Sequence, residues 1–154
     1  MTSSITAATL TVTITEAVSL NGYDQGASNS LTISSINEVF KRIVTCPASN
    51  TTTLITFNSN VYGAAGALDL EDTKYIRITN KDDSNSIELA VVGAATLYQV
   101  AVGAGESHVL GNPDDLMLAE ADTSPSFGTM ADVSSIRVNP GSNAVDVEVF
   151  VASA

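Results

Sequence analysis

Apolar and polar residues alternate with a period of two through much of this chain. Near the start, Leu10, Val12 and Ile14 alternate with Thr11, Thr13 and Thr15. Near the end, Val145, Val147, Val149 and Val151 alternate with Asp146, Glu148 and Phe150. Successive side chains of a strand point to opposite faces, so each run predicts a strand with one apolar face. In 37–46 the same rule puts Val39, Lys41, Ile43 and Thr45 opposite Phe40, Arg42 and Val44. A short helix is the alternative there, but the β-branched Ile-Val-Thr run favours a strand, and Pro47 ends it. Further strands are expected over 51–57, 74–79, 87–92, 95–102, 106–110 and 133–139, with Leu31–Ile33 opening a shorter one.

Turn-forming residues separate these runs. Asn21-Gly22, Gly26 and Asn29-Ser30 make residues 20–30 a predicted loop. Breaks also fall at 58–60, at the small-residue stretch 63–72, at the polar insert 80–85, and at 103–105, 111–115 and 139–143. Residues 74–110 read as an antiparallel meander. Residues 117–122 are ambiguous and 123–129 irregular. Nine or ten short strands with turns every 8–12 residues or so point to an all-β, antiparallel β-sandwich with little helix. A jelly-roll arrangement is the leading expectation. At 154 residues a single domain over 1–154 is expected, with residues 1–15 a candidate arm or edge strand contacting a neighbour.

Composition narrows what such a domain could do. Apolar residues are 44% of the chain, but there is no Trp, so the core must come from Val, Ile, Leu and Ala. Seventeen acidic and six basic residues give a net charge of −11. That balance opposes a nucleic-acid groove, which needs Lys and Arg along phosphates, and opposes an anionic membrane surface. No apolar stretch approaches the length of a membrane-spanning helix. Met1-Thr2-Ser3-Ser4 lacks the basic and apolar regions of a secretory signal. Cys46 is the single cysteine, which rules out an intrachain disulfide, and it reads as a small buried hydrophobe.

Catalytic motifs are absent from the pattern. His108 is the only histidine, and its strand context reads as structural rather than as the base of a triad. One histidine and one cysteine cannot build a three-histidine or a Cys/His zinc site. Asp69, Glu71, Asp72, Asp82, Asp83, Asp114 and Asp115 are oxygen donors in loops and are the calcium candidates. None has the spacing of a calcium-binding loop, and paired Asp residues also serve as turn caps. Gly103-Ala104-Gly105 is too short to cradle a phosphate. No cofactor, catalytic residue or enzymatic activity is expected. The interface candidates are the apolar faces of the two terminal strands, Leu10, Val12, Ile14, Val147 and Val149, with the basic pair Lys41 and Arg42. The last strand reads first as an ordinary core strand; in the interface reading it is an edge strand covered by another subunit.

The segment Asp72-Thr73-Lys74-Tyr75-Ile76-Arg77-Ile78-Thr79-Asn80 leads into an Asp/Ser/Asn loop and an Ile-Glu-Leu strand, and Gly105-Glu106-Ser107 opens another apolar strand. This arrangement over 72–112 resembles small all-β virion proteins of tailed bacteriophages. The resemblance implies a noncatalytic structural role at the surface of a phage particle, on the head in preference to the tail. The implied protein is a capsid decoration (cement) protein that stabilises the assembled head. Its implied partners are further copies of itself as a homo-oligomer and the major capsid protein or another virion protein. A tail or tail-fibre component is the alternative within that class. A carbohydrate-binding or adhesion module is the alternative outside it, with Tyr23, Tyr62, Tyr75 and Tyr98 as the available tyrosines.

Overall fold

A computed structural model describes residues 4–60, 66–94, 97–119, 124–125 and 127–154. Tyr62 and parts of the predicted stretches 63–72, 95–102, 117–122 and 123–129 lie outside the described residues. The described chain is all-β. Its first four strands build a projecting hairpin. β1 (Ala8–Glu16) pairs antiparallel with β4 (Ala27–Ile36), and the two-residue strands β2 (Ser19–Leu20) and β3 (Tyr23–Asp24) form its tip.

The remaining strands build a sandwich. They are β5 (Glu38–Cys46), β6 (Thr52–Asn58), β7 (Leu68–Asp69), β8 (Thr73–Asn80), β9 (Ile87–Gly93), β10 (Leu97–Val102), β11 (Ser107–Leu110), β12 (Val133–Asn139) and β13 (Val145–Ser153). One sheet has the order β11-β8-β13-β5 and the other β10-β9-β12-β6-β7. Every pairing is antiparallel except the short β6–β7 contact. The antiparallel sandwich expected from the sequence is therefore present, with eight strands of four residues or more among the described residues, and the hairpin strands β1 and β4 add two.

The core lies between the sheets. Ile76, Ile78, Leu89, Val91, Ile136 and Val138 meet Val145, Val147, Val149 and Val151 there, each almost fully buried. Cys46 is fully buried in the same layer, and burial pushes its thiol pKa up. No buried side-chain polar atom lacks a hydrogen-bond partner among the described residues.

Three sequence expectations are corrected here. The stretch 20–30 is not a loop, because Asn21 (φ 53°) and Gly22 (φ 82°) form the two-residue turn between β2 and β3. Consecutive positive-φ residues match the twist of a tight hairpin, so the break marks a continuation of the ladder. Gly26 is also held for a reason: a Cβ there would lie 2.2 Å from the Glu16 carbonyl oxygen.

Residues 74–110 are not a meander. β8 and β11 pair in one sheet, while β9 and β10 pair in the other. The polar insert after β8 carries the chain across the core. Asn80 is fully buried, and its side-chain amide donates to the carbonyls of Asn85 (2.8 Å) and of Val102 in the opposite sheet (3.2 Å). Its side-chain oxygen accepts from the Asp82 amide.

The last strand is the ordinary core strand of the first reading, and the interface reading that made it an edge strand fails. β13 is central, with β8 on one side and β5 on the other. Val147 and Val149 have no exposed surface, so they are core and not interface. β5 holds the sheet edge in its place.

Candidate interaction surface

The hairpin has two chemically distinct faces. Register pairs Leu10 with Ile33 and Val12 with Leu31, which puts these residues and Ile14 on one apolar face. The opposite face is a row of hydroxyls, where Thr13 pairs with Ser30 and Thr15 with Ser28. The Thr13–Ser30 oxygens lie 2.9 Å apart and the Thr15–Ser28 oxygens 3.1 Å apart.

Only the base of the apolar face is covered. Leu10, Val12 and Ile33 pack with Ile36 against Tyr75, Phe150 and Ala152 on the outer face of the four-stranded sheet. The Tyr75 and Phe150 rings meet edge-to-face at 6.0 Å. A register shift between Ala8 and Leu10, with Ser35 at φ 64°, sets this angle of approach. The Asn37 amide then donates to the Ser153 carbonyl and starts β5 along β13.

Toward the tip the apolar face is bare. Ile14 is 56% exposed, Leu31 55%, Leu20 63% and Tyr23 73%. The projecting element spans Ala8–Ile36, whereas the sequence suggested an arm over 1–15, and β1 already pairs with β4. Of the expected interface residues, Leu10 and Val12 are half-buried at the base and Ile14 is free.

A second bare strip lies on β5. Val39, Lys41, Ile43 and Thr45 share its outer face, opposite Ala152, Phe150, Glu148 and Asp146 of β13. Val39 and Ile43 are more than half exposed. Lys41 reaches Glu148 at 3.7 Å, and Arg77 donates to the same carboxylate at 2.6 Å. The Arg77 hydrogen bond holds the Glu148 carboxyl below its usual pKa, with Lys41 adding to the effect. Arg77 also lies 5.9 Å from the Phe150 ring centre. The structure does not bring Lys41 and Arg42 to one face: adjacent strand residues point opposite ways, and Arg42 is opposite Val149 in register. Sequence reasoning missed Val39 and Ile43 as exposed positions, because alternation alone does not say which strand ends at a sheet edge.

The acidic candidates serve mainly as turn caps. The Asp69 carboxylate accepts from the Glu71 and Asp72 amides, and Asp82 accepts from Ser84 and Asn85. Those amides hold Asp82 below its usual pKa, that of Asn85 foremost. Asp83 accepts from the Ser84 hydroxyl. Asp114 and Asp115 instead meet Asp132, with carboxylate oxygens within 4.8 Å of one another. Desolvation first, then the Asp132 hydrogen bond and nearby carboxylates, raise the Asp114 pKa. Asp132 carries no local signal in sequence. It reaches this turn through the bridge between Met117 and Ala131.

His108 and Tyr98 close one side of the sandwich, on β11 and β10. The His108 Nε2 lies 3.2 Å from the Tyr98 hydroxyl, and burial lowers the imidazole pKa. Tyr75 is committed to packing, so Tyr23 is the exposed tyrosine among the described residues.

No family model matches this chain, and no curated protein matches it. It is similar to a solved structure of Bacillus endospore appendages, described as a novel family of disulfide-linked pili. That match is 11% identical, covers 74% of this chain and 84% of the other, and has a TM-score of 0.40. A superposition that loose does not bear on what this chain does. Its one cysteine, Cys46, is fully buried.

Proposed function

We propose that this protein is a noncatalytic structural component of a larger assembly and that the hairpin Ala8–Ile36 is its contact element. The exposed apolar tip carries this reading: Ile14, Leu20, Tyr23 and Leu31 remain in water on a projecting two-stranded element. An isolated hairpin is marginally stable and gains from being covered. The sandwich acts as a rigid base, since Tyr75, Phe150 and Ala152 anchor the hairpin to it.

In its finer form the reading is a decoration protein on the head of a tailed-phage particle. The resemblance over 72–112 supports this form, as does the net charge of −11, which suits a surface facing solvent and away from packaged DNA. The strand order supports a jelly-roll description of the sandwich. The eight longer strands fall as β5, β8, β11 and β13 in one sheet and β6, β9, β10 and β12 in the other. A ligand that binds only the assembled shell stabilises it by mass action.

The test is immunogold labelling of intact particles from the source, with copy number by quantitative mass spectrometry. Dense label over heads supports decoration, and label confined to tails selects the tail alternative. Absence from every particle overturns the virion form. Retention undiminished by Ile14→Ser with Leu31→Ser would remove the hairpin as the contact element.

A further inference from the structure

The bare hairpin face and the bare strip on β5 lie at opposite edges of one sheet. From its base on Tyr75, Phe150 and Ala152 the hairpin runs toward β8 and β11. There Val12, Ile14 and Leu31 line a groove with Tyr75, Val109 and Gly111. β5, with Val39 and Ile43, is the edge strand on the other side. The tip of each molecule therefore points away from its own β5.

We infer that the hairpin tip of one copy seats on the outer face of β5 in a second copy, laying Ile14, Leu31 and Leu20 against Val39 and Ile43. The inference rests on the reading of the hairpin as the contact element of an assembly, and it names the partner and the receiving surface.

Two observations identify the partner as another copy of this chain. The first is continuity with a contact already made. The chain packs the apolar hairpin face onto the outer face of this very sheet, through Phe150 and Ala152. Val39 is the register partner of Ala152, and Lys41 that of Phe150, so the bare strip is the next column of the same surface. The second is charge. Residues 4–36 carry Glu16 and Asp24 and no Lys or Arg, while the outer face of β5 carries Lys41 between Val39 and Ile43, with more than half of its side chain exposed. The acidic tip and Lys41 attract, which favours this pairing over tip-to-tip contact. Because the two surfaces differ, the contact is heterologous and repeats head to tail, as a ring or an open row.

Sedimentation velocity on the full chain tests this. One variant removes the donor surface (Ile14→Ser with Leu31→Ser) and another the receiver (Ile43→Thr with Lys41→Glu). Val39→Thr with Ile43→Thr keeps β-branched residues and replaces the receiver variant should charge reversal prevent folding, as read by circular dichroism. Wild type is expected to form species larger than a dimer as concentration rises. Each variant alone should self-associate more weakly by roughly tenfold or more. Mixing the two should restore a one-to-one dimer and nothing larger, since each retains one intact surface. A wild type that stays monomeric at its highest soluble concentration, variants that assemble like wild type, or a mixture without dimer would each overturn the inference. A monomeric wild type that still labels particles removes the self-contact and leaves the assembly role. Self-association by a protein found on no particle supports the contact and removes the virion form.

Discussion

β1 and β13 carry the same alternating pattern over nine residues each, yet they end in opposite surroundings. The valines of β13 are at most 1% exposed, between two strands and beneath a second sheet. On β1, Leu10 and Val12 are half covered and Ile14 is mostly in water. The pattern states which face of a strand is apolar. What covers that face depends on where the strand falls in the sheet order, and that is set by distant partners. The same uncertainty runs the other way for β5, whose mixed outer face became an open edge.

The contrast can be broken at four points. Ile76→Ala, in the layer between the sheets, should cost about 2–5 kcal/mol in chemical denaturation. A loss below 1 kcal/mol would mean that the sandwich is not the stable body of the molecule. Next comes the anchor. Tyr75→Ala should cost about 0.5–3 kcal/mol and strip amide-exchange protection from β1 and β4 while β13 stays protected. Equal loss in both regions would show that hairpin and sandwich open as one unit.

Glu148→Gln follows, at about 1 kcal/mol near neutral pH. Its folded carboxyl titrates below the unfolded value, with the Arg77 hydrogen bond the main cause. The stability it provides is thus present above the unfolded pKa and is lost as pH falls through the lowered folded one. The variant should flatten this acid limb, and an unchanged pH profile would refute the role. Ile14→Ser comes last, within about 0.5 kcal/mol for a single exposed residue. A large loss would mean that the tip is already covered within the monomer.

Much of the fold was legible from sequence. The strands around Phe40, Ile76, Leu89, Ile136 and Val149 lie where the sequence placed strands, and the faces of β5 are as expected. Asn21-Gly22 was recognised as a break, but its positive-φ pair continues a hairpin, and only the pairing of Leu20 with Tyr23 reveals that. Reading 74–110 as a meander failed because Asn80 and its insert look like any polar turn. Its bonds to Asn85 and Val102 are what divert the chain to the other sheet. The candidate surface was half legible. Ile14 was named, while Leu31, Val39 and Ile43 needed knowledge of the sheet edges. Val147 and Val149 were misplaced for the same reason.

The central position of β13 also orders events in time. Translation releases a chain from its N-terminal end, so the hairpin's partners, all between residues 8 and 36, are available early. β5 and β8, however, do not pair with each other, and each waits for residues 145–153 to arrive between them. Until those residues leave the ribosome, the four-stranded sheet is a split with two unpaired inner edges. A stalled or truncated product lacking β13 would carry those open edges into the cell, and chaperones and proteases would meet it in that state.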